Sequence, residues 1–246
     1  RAPETVAVRS VLGTAARRAH RTLYRSPHWR VGWRFVRGES DTVLSRGALP
    51  TTAWNVLPDD GRHFYADPFP FERGGRTWLF VEDFDHDRGK GVISVVEFDH
   101  AGPVGSPRPV LRHAVHLSYP LVLEEQGEVW MIPETSGAGT IELYRAVRFP
   151  DAWVREAVLV RDVVASDATC FRHDGRWWMT ATVRRGGSWS DALHVWYADR
   201  LCGPWRPHRG NPVLIDIASA RPAGHVVRRD GRLVRPAQDG SRGYGS

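Results

Sequence analysis

Lysine is almost missing from this chain: Lys90 stands alone, and arginine supplies every other basic side chain. The net charge of +6 is therefore an arginine habit, spread along the chain except in the first thirty residues. With no clustered basic patch, and with aromatics falling at core-like positions, nucleic acid is not the expected partner. Cysteine is as scarce. Cys170 and Cys202 make neither a zinc spacing nor a disulfide framework, and Cys170 sits in an apolar run as a small core residue. The histidines His113, His116, His173, His194 and His208 show no ligand spacing. The acidic loop "EDFDHDRGKG", with Asp83, Asp85 and Asp87, lacks the full ligand set of a calcium loop and reads as a solvated turn. No metal and no cofactor are expected. No apolar run approaches the ~20 residues that a membrane helix needs, and the N-terminus lacks the apolar middle of a secretory signal. The expectation is a chain without a transmembrane segment, located in the cytoplasm.

What the chain has is repetition, and repetition decides the fold before any local reading does. "YADPFPFERGGRTWLFVE" (65–82) returns as "SYPLVLEEQGEVWMIPE" (118–134), as "SDATCFRHDGRWWMTAT" (166–182), and more weakly as "PAGHVVRRDGRLVRPAQ" (222–238). The turn glycines Gly75, Gly127, Gly175 and Gly231 are 52, 48 and 56 residues apart, the period of a propeller blade. Eight residues before each glycine stand Asp67, Tyr119, Asp167 and Ala223. Three after it stand Trp78, Trp130, Trp178 and Val234, and seven after it stand Glu82, Glu134, Thr182 and Gln238.

Each copy reads as a hairpin, with short apolar segments on either side of a turn. "WLFV", "WMI" and "WWM" are apolar without alternation, so both faces of that strand should be covered, as stacked blades require. The tryptophans at identical positions are expected to fill the core between blades. Downstream, "GVISVVEFD", "GTIELYRAVRF" and "ALHVWYADR" supply further strands, giving about four per unit. The expected fold is all-β, a propeller occupying residues 31–246 with three full blades and part of a fourth. Strands near "VGWRFVRG" and "TAWNVLP" are candidates to close the last blade. Residues 1–30 differ in character. Val6, Val8, Leu12, Ala16 and Leu23 lie among arginines there, which predicts a basic amphipathic helix, arm or linker.

In an antiparallel hairpin the residues eight before and seven after the turn lie near the same open end. If the first strand of each blade is innermost, Asp67, Asp167, Glu82 and Glu134 meet at one channel mouth, with Tyr119, Gln238 and Asp239 around them. Clustered carboxyls raise one another's pKa, and a site holding both a charged and a protonated carboxyl can run acid and base chemistry on a sugar.

These repeated segments, together with "RPAQDGSRGYG" near the end, resemble the propeller family found beside the plant glucosamine inositolphosphorylceramide transferases. They are similar, more distantly, to the five-bladed glycosidases of glycoside hydrolase family 43. The resemblance covers roughly residues 31–246 and implies five blades and a carbohydrate or nucleotide-sugar substrate. By the glycosidase pattern it implies Asp67 as general base, Asp167 as the residue that tunes the acid, and Glu134 as general acid, although "IPETSG" does not match the glycosidase acid motif. Glu82, Tyr119, Arg235, Gln238 and Asp239 are the candidate substrate-binding residues. Two readings stay open: an enzyme of glycosyl transfer or glycoside hydrolysis, and a non-catalytic sugar-binding or scaffolding propeller that works with a separate transferase domain.

Overall fold

The computed structural model describes residues 27–47, 49, 53–184, 186 and 188–243. The basic arm expected over residues 1–30 lies outside the described residues as far as residue 26. The described chain is almost entirely β. Its only helical segments are one α-turn at Val43–Arg46 and two 3-10 turns at Glu39–Asp41 and Ser136–Ala138.

Three antiparallel sheets follow one another in sequence order. The first holds β3 (His63–Arg73), β4 (Arg76–Asp85), β5 (Lys90–Asp99) and β6 (Gly102–Leu111). The second holds β7 (Ser118–Glu125), β8 (Glu128–Glu134), β9 (Thr140–Arg148) and β10 (Ala152–Arg161). The third runs β11 (Ala165–His173), β12 (Arg176–Val183), β13 (Ala192–Ala198) and β14 (Arg206–Pro207), and β15 (Leu214–Ile215) also pairs with β13. A last hairpin, β16 (Val227–Arg229) with β17 (Arg232–Val234), stands by itself. The four-strand expectation thus holds for the first two sheets, while the third carries an extra strand.

The four repeated hairpins share one turn. The residue before each anchor glycine and the glycine itself both have positive φ: 61° and 72° at Gly74–Gly75, 55° and 80° at Gln126–Gly127, 48° and 75° at Asp174–Gly175, and 48° and 73° at Asp230–Gly231. Two consecutive left-handed residues make the type I′ turn, whose twist matches that of the flanking strands. This explains why a glycine recurs at each anchor.

The continuously apolar strands are covered on both faces, as expected. On β4, Phe80 faces the central core with Leu121, Met131 and Ile132, and Val81 faces the other way into a smaller cluster with Val31, Leu57, Tyr65, Leu79 and Val96. Strand β7 packs against β3 and β4, and β11 packs against β7 and β8, so the sheets stack through their first strands. Trp130 is buried in the core and Trp78 sets its edge on Phe149 of the second sheet at 5.8 Å, while Trp178 leans on Tyr197 within its own sheet. Cys170 is buried in the same core.

One expectation fails. Strands β1 (Gly32–Trp33) and β2 (Asn55–Val56), which lie in the segments proposed to close the last blade, pair with each other and not with β16 or β17. Burial explains the difference. Val31 and Leu57, flanking that pair, are the apolar residues that cover the outer face of the first sheet, and Leu57 N–H donates to Val31 O.

Candidate active site

The first strands of the three sheets carry the same irregularity at the same place. Ala66 pairs with Glu82 and Phe69 with Phe80, so β3 advances three residues while β4 advances two. Ser118 to Leu121 against Glu134 to Ile132, and Ser166 to Thr169 against Thr182 to Thr180, repeat the step in β7 and β11. An extra residue on one strand is a β-bulge, which re-aims side chains at the ends of sheets. Inside each bulge the residue eight before the anchor glycine is left-handed: Asp67 at φ 47°, Tyr119 at 44° and Asp167 at 57°. Such a conformation is uncommon for a side-chain-bearing residue, tolerated best by Asp and Asn, and strained for a bulky tyrosine. Three copies of it at one column mark the place where the fold gives up local comfort.

The bulges open onto a cavity of about 410 Å³ lined by Asp67, Glu82, His116, Glu134, Arg221 and Gln238, with Trp29, Phe64 and Phe84 among its other walls. Asp167 lies beneath them, 1% exposed. Its Oδ2 accepts from Arg221 Nε at 2.5 Å and from Gln238 Nε2 at 2.9 Å, and its Oδ1 accepts from Arg221 Nη2 at 3.4 Å. Arg221 also donates to Ser190 Oγ at 3.1 Å. Asp67 Oδ2 accepts the backbone N–H of Tyr119 at 3.1 Å, one first strand clasping the next. Beneath, the Tyr119 hydroxyl meets Thr169 Oγ1 at 2.9 Å and accepts Gly224 N–H at 2.7 Å.

The remaining two carboxyls are held by neutral donors. Ser136 Oγ donates to Glu134 Oε1 at 2.7 Å, while Glu134 Oε2 is buried without a hydrogen-bond donor. His116 Nε2 lies 3.3 Å from Glu82 Oε1, and His116 Nδ1 accepts Gly91 N–H at 2.8 Å. A glycine is required at position 91, because a Cβ there would stand 2.5 Å from Leu117 O and 2.8 Å from the His116 ring.

Electrostatics follow from this arrangement. Burial first, then the charge of Asp167, pushes Asp67 up to about 7. Burial and Asp167 likewise push Glu134 to about 7, against the pull of Ser136 and Arg221. Burial, with Asp67, Glu134 and Asp167 adding their charge, drives Glu82 well above the ordinary carboxylate range. Burial also raises Asp167, but this is the one carboxyl with a guanidinium against it, so it has the strongest claim on the negative charge. A proton on Glu134 Oε2 would give that orphan oxygen a bond to make, since Glu134 and Asp167 lie within hydrogen-bond reach of each other.

The chain matches the family model described as glucosamine inositolphosphorylceramide transferase 1, N-terminal, over residues 51–246. It is 34% identical over 188 residues to glucosamine inositolphosphorylceramide transferase 1 of Arabidopsis thaliana, covering 74% of this chain and 24% of that protein. To the protein of the same name from Oryza sativa subsp. japonica it is 35% identical over 211 residues, covering 79% of this chain and 28% of that one. The chain belongs to this family. It spans about a quarter of the length of the curated relatives it matches. Among solved structures it is similar to the exo-β-1,3-galactanase of Phanerochaete chrysosporium bound to galactose, at TM-score 0.58 and 12% identity over 74% of this chain and 46% of that one. It is also similar to a GH43 β-xylosidase/α-arabinofuranosidase from a compost microbial metagenome, at TM-score 0.58 and 12% identity over 78% of this chain and 71% of that one. These likenesses give the fold as propeller-type.

For a member of this family the repeat columns were informative. The structure brings Asp67, Glu82, Glu134, Asp167 and Gln238 together, with Tyr119 directly beneath. It does not bring Arg235 or Asp239 to the cavity. Arg235 braces the backbone by donating to Ser219 O and to Ala220 O, and Asp239 is exposed and accepts Ser241 N–H at 2.9 Å. Both lie beyond β17, as Gln238 does, but of the three only Gln238 lines the cavity. Sequence reasoning passed over Arg221, His116 and Ser136. Arg221 had one signal, its place two residues before the Ala223 column, because an Asp buried in an inner strand needs a cation. His116, three residues before the Tyr119 column, had none beyond its nearness to a repeat. Among the described residues no helix is long and apolar enough to cross a membrane, and no group of His, Cys, Asp or Glu has a metal-holding arrangement.

Proposed function

We propose that this chain is part of a five-bladed propeller that acts on a glycosidic bond, in transfer or hydrolysis, at the cavity where the bulged strands end. The observation that carries the reading is the convergence of carboxyls from three sheets, Asp67 with Glu82, Glu134 and Asp167, into one buried group. In the reaction Glu134 gives its proton to the oxygen of the leaving group as the bond to the anomeric carbon breaks. The hydroxyl of the acceptor, or water, attacks that carbon and passes its proton to Asp67 in the ionised form. Asp167, fixed by Arg221 and Gln238, keeps its negative charge beside Glu134 and holds the proton there until it is needed. Family membership and the carbohydrate-active enzymes among its structural neighbours support the substrate class.

A second reading, a non-catalytic sugar-binding propeller, is favoured by the relatives being about three times as long as this chain, which leaves room in them for a separate transferase domain. Turnover of candidate glycosides and nucleotide sugars, measured beside binding in Asp67→Asn and Glu134→Gln, separates the two. Loss of turnover in both variants with folding intact supports the enzyme. Unchanged sugar binding in both, with no turnover by the parent on any donor or glycoside, leaves the binding module.

A further inference from the structure

We propose that Ser136 is the residue that positions Glu134, fixing its carboxyl so that the proton rides on Oε2, an inference that rests on the reading of Glu134 as the acid of the cavity. The run "IPETSG" (132–137) carries Glu134 and, two residues on, a hydroxyl. Glu134 closes β8, and the chain folds at once into the 3-10 turn Ser136–Ala138. That turn holds itself together without help from Glu134. Thr135, buried, donates its hydroxyl to Thr140 O at 2.7 Å, Ala138 N–H donates to Thr135 O at 2.9 Å, and Gly139 N–H donates to Ser136 O at 3.0 Å. A Cβ on Gly137 would stand 3.1 Å from Val115 Cβ, so the turn is seated tightly against the connection between the first two sheets. The backbone thus places the Ser136 hydroxyl, which lies 2.7 Å from Glu134 Oε1.

The contact sorts the two carboxyl oxygens. A serine hydroxyl has one hydrogen, and once it is given to Oε1 that oxygen is the acceptor of the pair. Oε2 is buried without a donor, and the carboxyl of Asp167 lies within hydrogen-bond reach of Glu134. Two carboxyl groups this close repel unless a proton lies between them, so the proton belongs on Oε2, where it makes the bond to Asp167. The opposite assignment, with the proton on Oε1 and Ser136 as its acceptor, leaves Oε2 bare against a carboxylate. Asp167 is itself held by Arg221 and Gln238, so each partner in the pair has a brace of its own. Ser136 also acts on the charge. By donating to the ionised form it opposes, with Arg221, the burial and the Asp167 charge that push Glu134 to about 7. Without Ser136 the acid would keep its proton to higher pH and its carboxyl would be free to turn.

Titration of the Glu134 carboxyl by carbon-13 NMR in the full chain, with Glu134→Gln to assign its signal, tests this without a substrate. The charged groups facing Glu134 are Asp67, Glu82, Asp167 and Arg221, with His116 and Gln238 also in the cavity wall, so the carboxyls are followed together. Ser136→Ala should raise the Glu134 midpoint by about one pH unit, through loss of a hydrogen bond to the ionised form. Ser136→Thr, which keeps the hydroxyl, should stay near the parent, and Ser136→Cys, a weaker donor, should fall between the two. Ser136 is half-buried and the change to alanine removes one atom, so all three variants should melt close to the parent. An unmoved midpoint in folded Ser136→Ala overturns the proposal. A lowered midpoint overturns it too, because a serine that accepts from Oε1 favours the protonated form, and its removal releases the proton more readily. A raised midpoint in a protein whose parent turns over no glycoside and no nucleotide sugar sinks the enzyme reading and leaves the positioning of Glu134 by Ser136 standing.

Discussion

Asp67 in the first sheet and Asp167 in the third occupy one column of the repeat, sit in equivalent bulges and share a left-handed backbone, yet the partners that hold their carboxyls differ. Asp167 is gripped by a guanidinium and an amide N–H. Asp67 has a single backbone N–H, given by Tyr119 from the next strand. Repetition of the backbone therefore places carboxyls but does not assign their protons; the partners arriving from other parts of the chain do that. Gln238 ends the fourth, weakest copy and Arg221 immediately precedes it, so the least regular part of the repeat holds the carboxyl of a more regular part.

The largest effect should come from removing the cation that makes the two aspartates differ. Arg221→Met leaves Asp167 buried without a counter-charge, and the expected destabilisation is about 3–5 kcal/mol, as for breaking a buried pair on one side. The melting temperature should fall by roughly 10 °C. Adding Asp167→Asn in the same chain removes the stranded charge and should recover most of the loss. If Arg221→Met alone melts with the parent, Asp167 is not the ionised member and the contrast with Asp67 is void.

How much of this was legible in the sequence follows the same division. The hairpins, their turn glycines and the columns at Asp67, Glu82, Glu134 and Asp167 could be read because backbone geometry repeats with the residue spacing. The bulges could not, because an extra residue in one strand leaves no mark in a spacing measured from the turn. Ala66, and not Asp67, is thus the register partner of Glu82. Arg221 and His116 were hidden for another reason. They reach the site from connecting segments, and their partners lie 54 and 34 residues away, at Asp167 and Glu82. Arg235 and Asp239 were misplaced because proximity to Gln238 in sequence says little once the strand has ended.

The second effect is a dependence on pH carried by Asp67. Its folded value of about 7 lies above the ordinary 3.8, so the fold favours the protonated form. The stability this contributes is fully present below about pH 4 and is lost as pH rises through about 7. Asp67→Asn keeps the shape, cannot ionise, and should be more stable than the parent by roughly 4 kcal/mol at pH 7.5, with the two converging near pH 4. Urea unfolding of both proteins across that range reads the difference. Convergence at high pH instead of low pH would mean that Asp67 is held ionised.

The smallest effect tests the residue between the two aspartates. Tyr119 stands at their column in the second sheet and joins them. Its N–H serves Asp67, and its hydroxyl meets Thr169 in β11 and accepts from Gly224, three residues past Arg221. Tyr119→Phe removes only the second set. A half-buried Gly224 N–H then loses its acceptor, and about 1 kcal/mol of stability should go with it. The backbone N–H to Asp67 is untouched, so the pH dependence carried by Asp67 should keep its midpoint, while the segment that delivers Arg221 loses an anchor. Hydrogen exchange should show faster opening at residues 221–224 and no change in β3. If β3 loosens equally, the tyrosine strain at φ 44° is what holds both strands, and the side-chain hydroxyl is incidental.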